Sequence, residues 1–219
     1  MKTFFKFSIF LSFLSLLSFE AFGKTTKEIW LEFSESNDCL PSFCAEGIPA
    51  TLLENSLIYF KENQKNIKNN DFLTIIDFTK LSIEKRMTIL NLKDGSVETF
   101  LVTHAKKSEG KLGQAKYFSN TPGSKMSSIG FFLIDPLPYV GKHGNSLRLT
   151  GLSKTNNNAR MRDIVIHAAD YATQEFANDR GRLGLSHGCL AIDPEEIEEV
   201  ISKMKGESLL YVYSDQVSD

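Results

Sequence analysis

The stretch "RMTILNLKDGSVETFLVTH", Arg86 to His104, sets the reading of the whole chain. Two runs rich in β-branched and large apolar residues, Arg86–Leu92 and Ser96–His104, flank Lys93-Asp94-Gly95, a turn signal that predicts a β-hairpin. Upstream, "FLTIIDF" (Phe72–Phe78) has the same character. Downstream, "IGFFLI" (Ile129–Ile134), "NSLRLTGL" (Asn145–Leu152), "RDIVIHA" (Arg162–Ala168) and "SLLYVY" (Ser208–Tyr213) are short and bounded by Pro, Gly or Asn. This spacing predicts a mainly β domain over residues 71–215. The Gly-, Ser- and Lys-rich segment from Ala105 to Ser127 is longer than the roughly 15 residues usual for an unstructured connection, and reads as a lid or substrate-binding edge.

Two stretches have helical periodicity instead. In "IPATLLENSLIYFKENQKNIKNN", Leu53, Leu57 and Phe60 fall on one face and Pro49 suits a first turn. This helix belongs to an N-terminal extension, residues 24–70, that ends in a polar linker at Lys68–Asn70. Near the C-terminus, Asp193 reads as an N-cap, Pro194 as the first helical residue and Glu196 as the partner of a capping box. Ile197, Val200, Ile201 and Met204 form the apolar stripe, and Gly206 ends it. The preceding "CLAI" then reads as a short strand with Cys189 at its start.

The N-terminus carries an export signal: Lys2 and Lys6, an apolar run from Phe7 to Phe19, and small residues Ala21 and Gly23 at the cleavage positions. The run is shorter than the roughly 20 residues that span a bilayer, so cleavage after Gly23 is expected. The mature protein is then periplasmic or cell-wall associated, with no membrane anchor. The formal net charge of −2 carries no basic stripe of the kind a nucleic-acid partner requires. Among three cysteines, Cys39 and Cys44 sit either side of a Pro-Ser turn and are candidates for a disulfide, which leaves Cys189 as an unpaired thiol in an oxidising compartment.

Cys189 follows His187 and Gly188 in "GRLGLSHGCLAID" (Gly181–Asp193). A thiol becomes nucleophilic when a cation or base favours its thiolate. The predicted helix begins too far downstream to help, so a histidine is expected to do so. His187, two positions away, and His167, at the end of "IVIH", are both available. Gly188 allows a tight bend and exposes N–H groups suited to an oxyanion. A zinc site built from His167, His187 and Cys189 is the rival reading, but no His-x-x-x-His or Cys-x-x-Cys pair supports it. A thiol redox role would need a resolving cysteine. No metal or cofactor is therefore expected.

His167-Ala168, a spacer from Ala169 to Leu185, and then Ser186-His187-Gly188-Cys189 resemble the signature of the L,D-transpeptidases of the YkuD type, exported enzymes that remodel peptidoglycan. "LTIIDF", "SIEKRMTILNLKDG", "FSNTPGSKMSSIGFF", "GKHGNSLRLTGL" and "IVIHAADY" are similar to the murein L,D-transpeptidase catalytic-domain subgroup, over Phe72 to Tyr213. The resemblance implies a curved sheet or β-sandwich with peripheral helices. It also implies that Cys189 attacks a tetrapeptide stem and releases D-alanine, that His167 is general base and acid with its ring oriented by the Ala168 carbonyl, and that His187, Gly188 and Cys189 supply the oxyanion site. Ala168 and Ala191 depart from the family pattern, the second removing a polar group near the site. Arg148, Arg182 and Ser186 are candidates for substrate binding. His104 and His143 read as surface or hydrogen-bonded structural residues, and Asp170 and Tyr171 as packing or turn residues as readily as functional ones. Hydrolysis of the same thioester, or a non-catalytic peptidoglycan-binding role, are the alternatives.

Overall fold

The structure is a computed structural model that describes residues 48–216. The leader expected at residues 1–23, the expected Cys39–Cys44 disulfide and the start of the expected N-terminal extension lie outside the described residues.

The first helix, α1 (Ala50–Asn63), starts directly after Pro49, which serves as its N-cap residue rather than lying inside its first turn. Strands β1 (Phe72–Asp77), β2 (Met87–Asn91) and β3 (Val97–Phe100) follow. The hairpin between β2 and β3 closes as its sequence requires: Gly95 takes φ 74°, and the Asp94 carboxylate accepts the Ser96 N–H at 2.8 Å. The predicted Ser96–His104 strand is interrupted. After β3 the chain leaves the sheet and forms a separate short strand, β4 (His104–Ala105).

The remaining strands are β5 (Gly130–Ile134), β6 (Tyr139–Gly141), β7 (Gly144–Gly151), β8 (Val165–Ala168), β9 (Leu185–Ser186), β10 (Leu190–Ile192) and β11 (Leu209–Tyr213). Two more helices, α2 (Gln174–Arg180) and α3 (Ile197–Met204), flank β9 and β10. Among the described residues a nine-stranded sheet runs β10-β8-β7-β5-β11-β1-β2-β3, with β6 paired to β7, while β4 and β9 form a separate parallel pair. The two ends of the large sheet meet. Thr103 N–H donates to the Ala191 carbonyl at 3.1 Å and Ala191 N–H donates to Thr103 Oγ1 at 3.0 Å, so the sheet curls back on itself.

That curl produces two cores. β1 is buried on both faces, which explains its uninterrupted apolar run. Ile76 faces an interior cluster with Val102, Phe132, Leu147, Ile166, Leu190 and Leu210, closed at one side by Val200, Ile201 and Met204 of α3. Leu73 and Ile75 face the other way, where Leu52, Leu53, Leu57 and Phe60 of α1 cover the sheet. The helix that the sequence assigns to an extension is thus packed onto the β domain. At α3 the predicted capping box does not form. The regular helix starts at Ile197, and the Asp193 carboxylate instead accepts the Glu195 N–H at 2.9 Å in the turn that precedes it.

The long 105–127 segment is pinned, not lid-like. Ala105 N–H donates to Ser127 Oγ at 2.9 Å, Ser127 N–H to Ser108 Oγ at 2.7 Å, and Ala115 and Phe118 join the interior core.

His104 is fully buried and holds a structural bond: Arg86 Nη2 donates to its Nδ1 at 2.9 Å. A guanidinium cannot accept, so the ring proton sits on Nε2, which has no partner among the described residues. Burial, with the charges of Arg86 and Arg182, pushes the His104 pKa down to about 3. The unfolded value is about 6.5, so below it the unfolded chain takes up a proton that the folded one refuses. Stability from this residue is complete above pH 6.5 and is lost as pH falls towards 3. His104→Asn, which keeps an acceptor for Arg86, should lower stability at pH 7. It should also remove about 2–3 kcal/mol of the loss between pH 6.5 and 4.5. Denaturant melts at the two pH values check this; equal pH slopes in both proteins would refute it.

Candidate functional site

The pairing of β8 with β10 builds the site. They run parallel with Leu190 opposite Ile166, Ala191 opposite His167 and Ile192 opposite Ala168. Extending this register back one step sets Cys189 beside Val165. Because side chains alternate along a strand, Cys189 and His167 then project from the same face of neighbouring strands. Both line one open cleft of about 290 Å³, together with His187, Tyr171, Lys142 and His143. Leu185 and Ser186 of β9 complete its wall.

His167 is 2% exposed, and its Nδ1 lies 2.8 Å from the Ala168 carbonyl oxygen. A carbonyl only accepts, so Nδ1 carries the proton and Nε2 keeps its lone pair. Burial holds the ring below the ordinary imidazole pKa, the Ala168 bond partly opposes this, and the His143 charge lowers it further. His167 is therefore a neutral base at pH 7. The tip of the β6–β7 turn lays His143 against it, ring centroids 4.3 Å apart and planes within 23°.

Cys189 is half-buried, and its thiol is directed at the Asp163 carbonyl oxygen at 3.5 Å. Burial pushes the thiol pKa up and the Asp163 carboxylate adds to that, while the Val165 N–H and the Arg162 guanidinium pull it down. At rest the pair is thiol and neutral imidazole, not thiolate and imidazolium. The arrangement suits proton transfer to Nε2 as sulfur attacks.

The loop before Cys189 is shaped by Ser186 and Gly188. Ser186 Oγ donates to the Cys189 carbonyl at 2.7 Å and accepts the Gly188 N–H at 3.1 Å. Ser186 thus acts on the loop, and the Gly188 N–H, expected to face an oxyanion, is already directed to it. Gly188 has φ 144°, and a Cβ there would lie 2.5 Å from Ile164 Cδ1, so this position requires glycine. His187 is exposed at the cleft wall.

Arg148 and Arg182 lie away from the cleft lining. Arg148 is stacked over the Tyr139 ring at 3.7 Å. Arg182 donates to the Leu183 carbonyl at 2.7 Å and faces Glu109 at 3.4 Å. Ala191, opposite His167, is fully buried. Tyr171, left open by the sequence, does line the cleft, where it packs over Gly184. No group of three or more His, Cys, Asp or Glu among the described residues is arranged to hold a metal ion.

The sequence does not place three residues in this region that the structure does: Lys142 and His143 in the cleft, and Arg162 beside the cysteine loop. A signal existed for the first two, since Gly141-Lys142-His143-Gly144 is a two-residue hairpin turn. Nothing local says that this tip folds over His167.

The sequence model of one protein family, the L,D-transpeptidase catalytic domain, matches residues 45–213. Among solved structures, the chain is similar to an L,D-transpeptidase from Mycobacterium smegmatis, at 12% identity over 66% of this chain and 59% of that one, with a TM-score of 0.38. It is similar to L,D-transpeptidase 1 of Mycobacterium tuberculosis at 13% identity, over 66% and 62% of the two chains, with a TM-score of 0.37. An L,D-transpeptidase from Xylanimonas cellulosilytica matches at 14% identity, over 65% and 60%, with a TM-score of 0.39. The chain spans about three-fifths of the length of these structures. No curated protein matches it.

Proposed function

Because this chain belongs to the family of L,D-transpeptidase catalytic domains, we propose that it is an exported cysteine acyltransferase acting on the stem peptides of peptidoglycan. The observation that carries this is the pairing of Cys189 with a His167 whose Nδ1–H is held by the Ala168 carbonyl, in one open cleft. Cys189 Sγ attacks the carbonyl between diaminopimelate and the terminal D-alanine of a tetrapeptide, and His167 Nε2 takes the thiol proton. The same proton then passes to the departing amine, so D-alanine leaves and a thioester remains. The side-chain amine of a second stem attacks the thioester and restores the thiol, giving a 3→3 cross-link. Oxyanion stabilisation falls to the Cys189 N–H and His187, with Gly188 holding the bend.

No helix among the described residues is long and apolar enough to cross a membrane. The leader read from the sequence supports action outside the cytoplasm, on the cell wall.

The test is incubation of the protein with disaccharide-tetrapeptide and mass spectrometry of the products. A cross-linked dimer with free D-alanine is expected. Tripeptide alone would make the protein an L,D-carboxypeptidase using the same thioester, and unchanged substrate would reduce it to a binding module.

A further inference from the structure

Arg162 is tied into the structure by neutral acceptors. Its Nη1 donates to the Ser119 carbonyl at 2.6 Å and to Ser128 Oγ, and its Nη2 to the Met126 carbonyl at 2.5 Å and Ser124 Oγ at 3.2 Å. No carboxylate among the described residues forms a salt bridge with it, and the residue is half-buried. Its Nη2 lies 3.6 Å from where a Cβ of Gly188 would stand, directly behind the cysteine loop. The next residue, Asp163, takes φ 51°, in the left-handed region, and its carbonyl is the acceptor of the Cys189 thiol. One turn thus presents both an acceptor for the Cys189 thiol and, beside the loop that carries it, a cation with no carboxylate partner among the described residues.

We propose that Arg162 is a positioning residue for the reaction, an electrostatic counterweight that makes the Cys189 thiolate and the negative charge developing at it attainable in a half-buried loop. A half-buried guanidinium whose partners are all neutral keeps its full charge, and an anion formed nearby is stabilised by it more than water would allow. The mutual effect is visible on both sides: Arg162 draws the thiol pKa down against burial, and the Cys189 charge raises that of Arg162 against its own burial. The other groups around the sulfur cannot replace it. Lys142, His143 and His187 stand on the exposed side of the cleft, where water screens them, Tyr171 and His167 are neutral at pH 7, and Asp163 opposes the thiolate.

The inference rests on Cys189 being the nucleophile, but its test reads the thiol directly and needs no peptidoglycan substrate. The rate of Cys189 alkylation by iodoacetamide, mapped by digestion, is measured against pH in the full-length protein. Arg162→Gln should move the midpoint of that profile up by about one pH unit or more. Arg162→Lys, which keeps the charge, should leave it close to wild type. Ser124→Ala, which removes one of the bonds to the loop but no charge, should leave it unchanged. A Gln variant with lowered melting temperature and an unmoved midpoint would make Arg162 a loop anchor only. If the Gln variant does not fold, a Lys variant with a raised midpoint would equally overturn the proposal. Failure of the acyl-transfer assay with these profiles intact would count against the proposed function and not against Arg162.

Discussion

Cys189→Ala is expected to fold as the wild type does and to form neither cross-linked product nor tripeptide. The thiol is half-buried and its contacts, a long one to the Asp163 carbonyl and one from the Val165 N–H, are weak sulfur bonds, so its loss costs little stability. Its chemical loss is total. No other residue lining the cleft offers a nucleophile in the register that faces His167, since Ser186 is committed to the Cys189 carbonyl and the Gly188 N–H. Removing the nucleophile of an acyl-transfer site costs on the order of 10⁶-fold in turnover, which takes product below detection by mass spectrometry. Cys189→Ser sharpens the test. A hydroxyl is far less acidic than a thiol, and the help proposed for Arg162 cannot make up that difference, so the Ser variant should be almost as inactive as Ala. Either variant retaining a tenth of wild-type turnover would remove Cys189 from the mechanism.

Much of this site follows from local chemistry. The Asp94-Gly95 turn, the apolar runs of β1, β2 and β5, and the stripe of α3 each rest on residues adjacent in sequence, and each formed within a few residues of its expected limits. The position of Cys189 was legible in the same way to within one residue, immediately before β10 rather than at its first position, because Pro194 and the α3 stripe bound the strand behind it. What was not legible depends on distant pairings. The Ala169–Leu185 spacer hides α2, whose start rests on a single Thr173 side-chain cap to Phe176 N–H at 3.1 Å. His143 reaches His167 only because β7 pairs with β8, and Arg162 reaches the cysteine loop only because the 105–127 segment folds beneath it. The expected histidine-activated thiolate also depended on burial. Desolvation of both groups favours the neutral pair, and no sequence pattern reports how much water a loop excludes.

His167→Ala is expected to slow acylation of Cys189 by roughly 10²- to 10⁴-fold, the range for losing a general base. The neutral resting pair makes this loss larger than it would be for a preformed thiolate, because sulfur must shed its proton during attack and Nε2 is the acceptor the Ala168 bond leaves free. A carbapenem, which the family resemblance makes an apt acyl donor, gives a single-turnover readout by intact mass, with the adduct mapped to Cys189. The pH dependence has a definite sign. Below its depressed pKa the His167 ring is protonated and cannot accept, so the wild-type rate should fall in acid with a midpoint under 6.5. In His167→Ala that limb should vanish, and the residual rate should instead climb above neutrality as the Cys189 thiol ionises unaided. His187→Ala, at the exposed wall of the cleft, should keep the acid limb and lose less rate. Equal acylation rates in wild type and His167→Ala, or an acid limb that survives the substitution, would assign the proton transfer to another group.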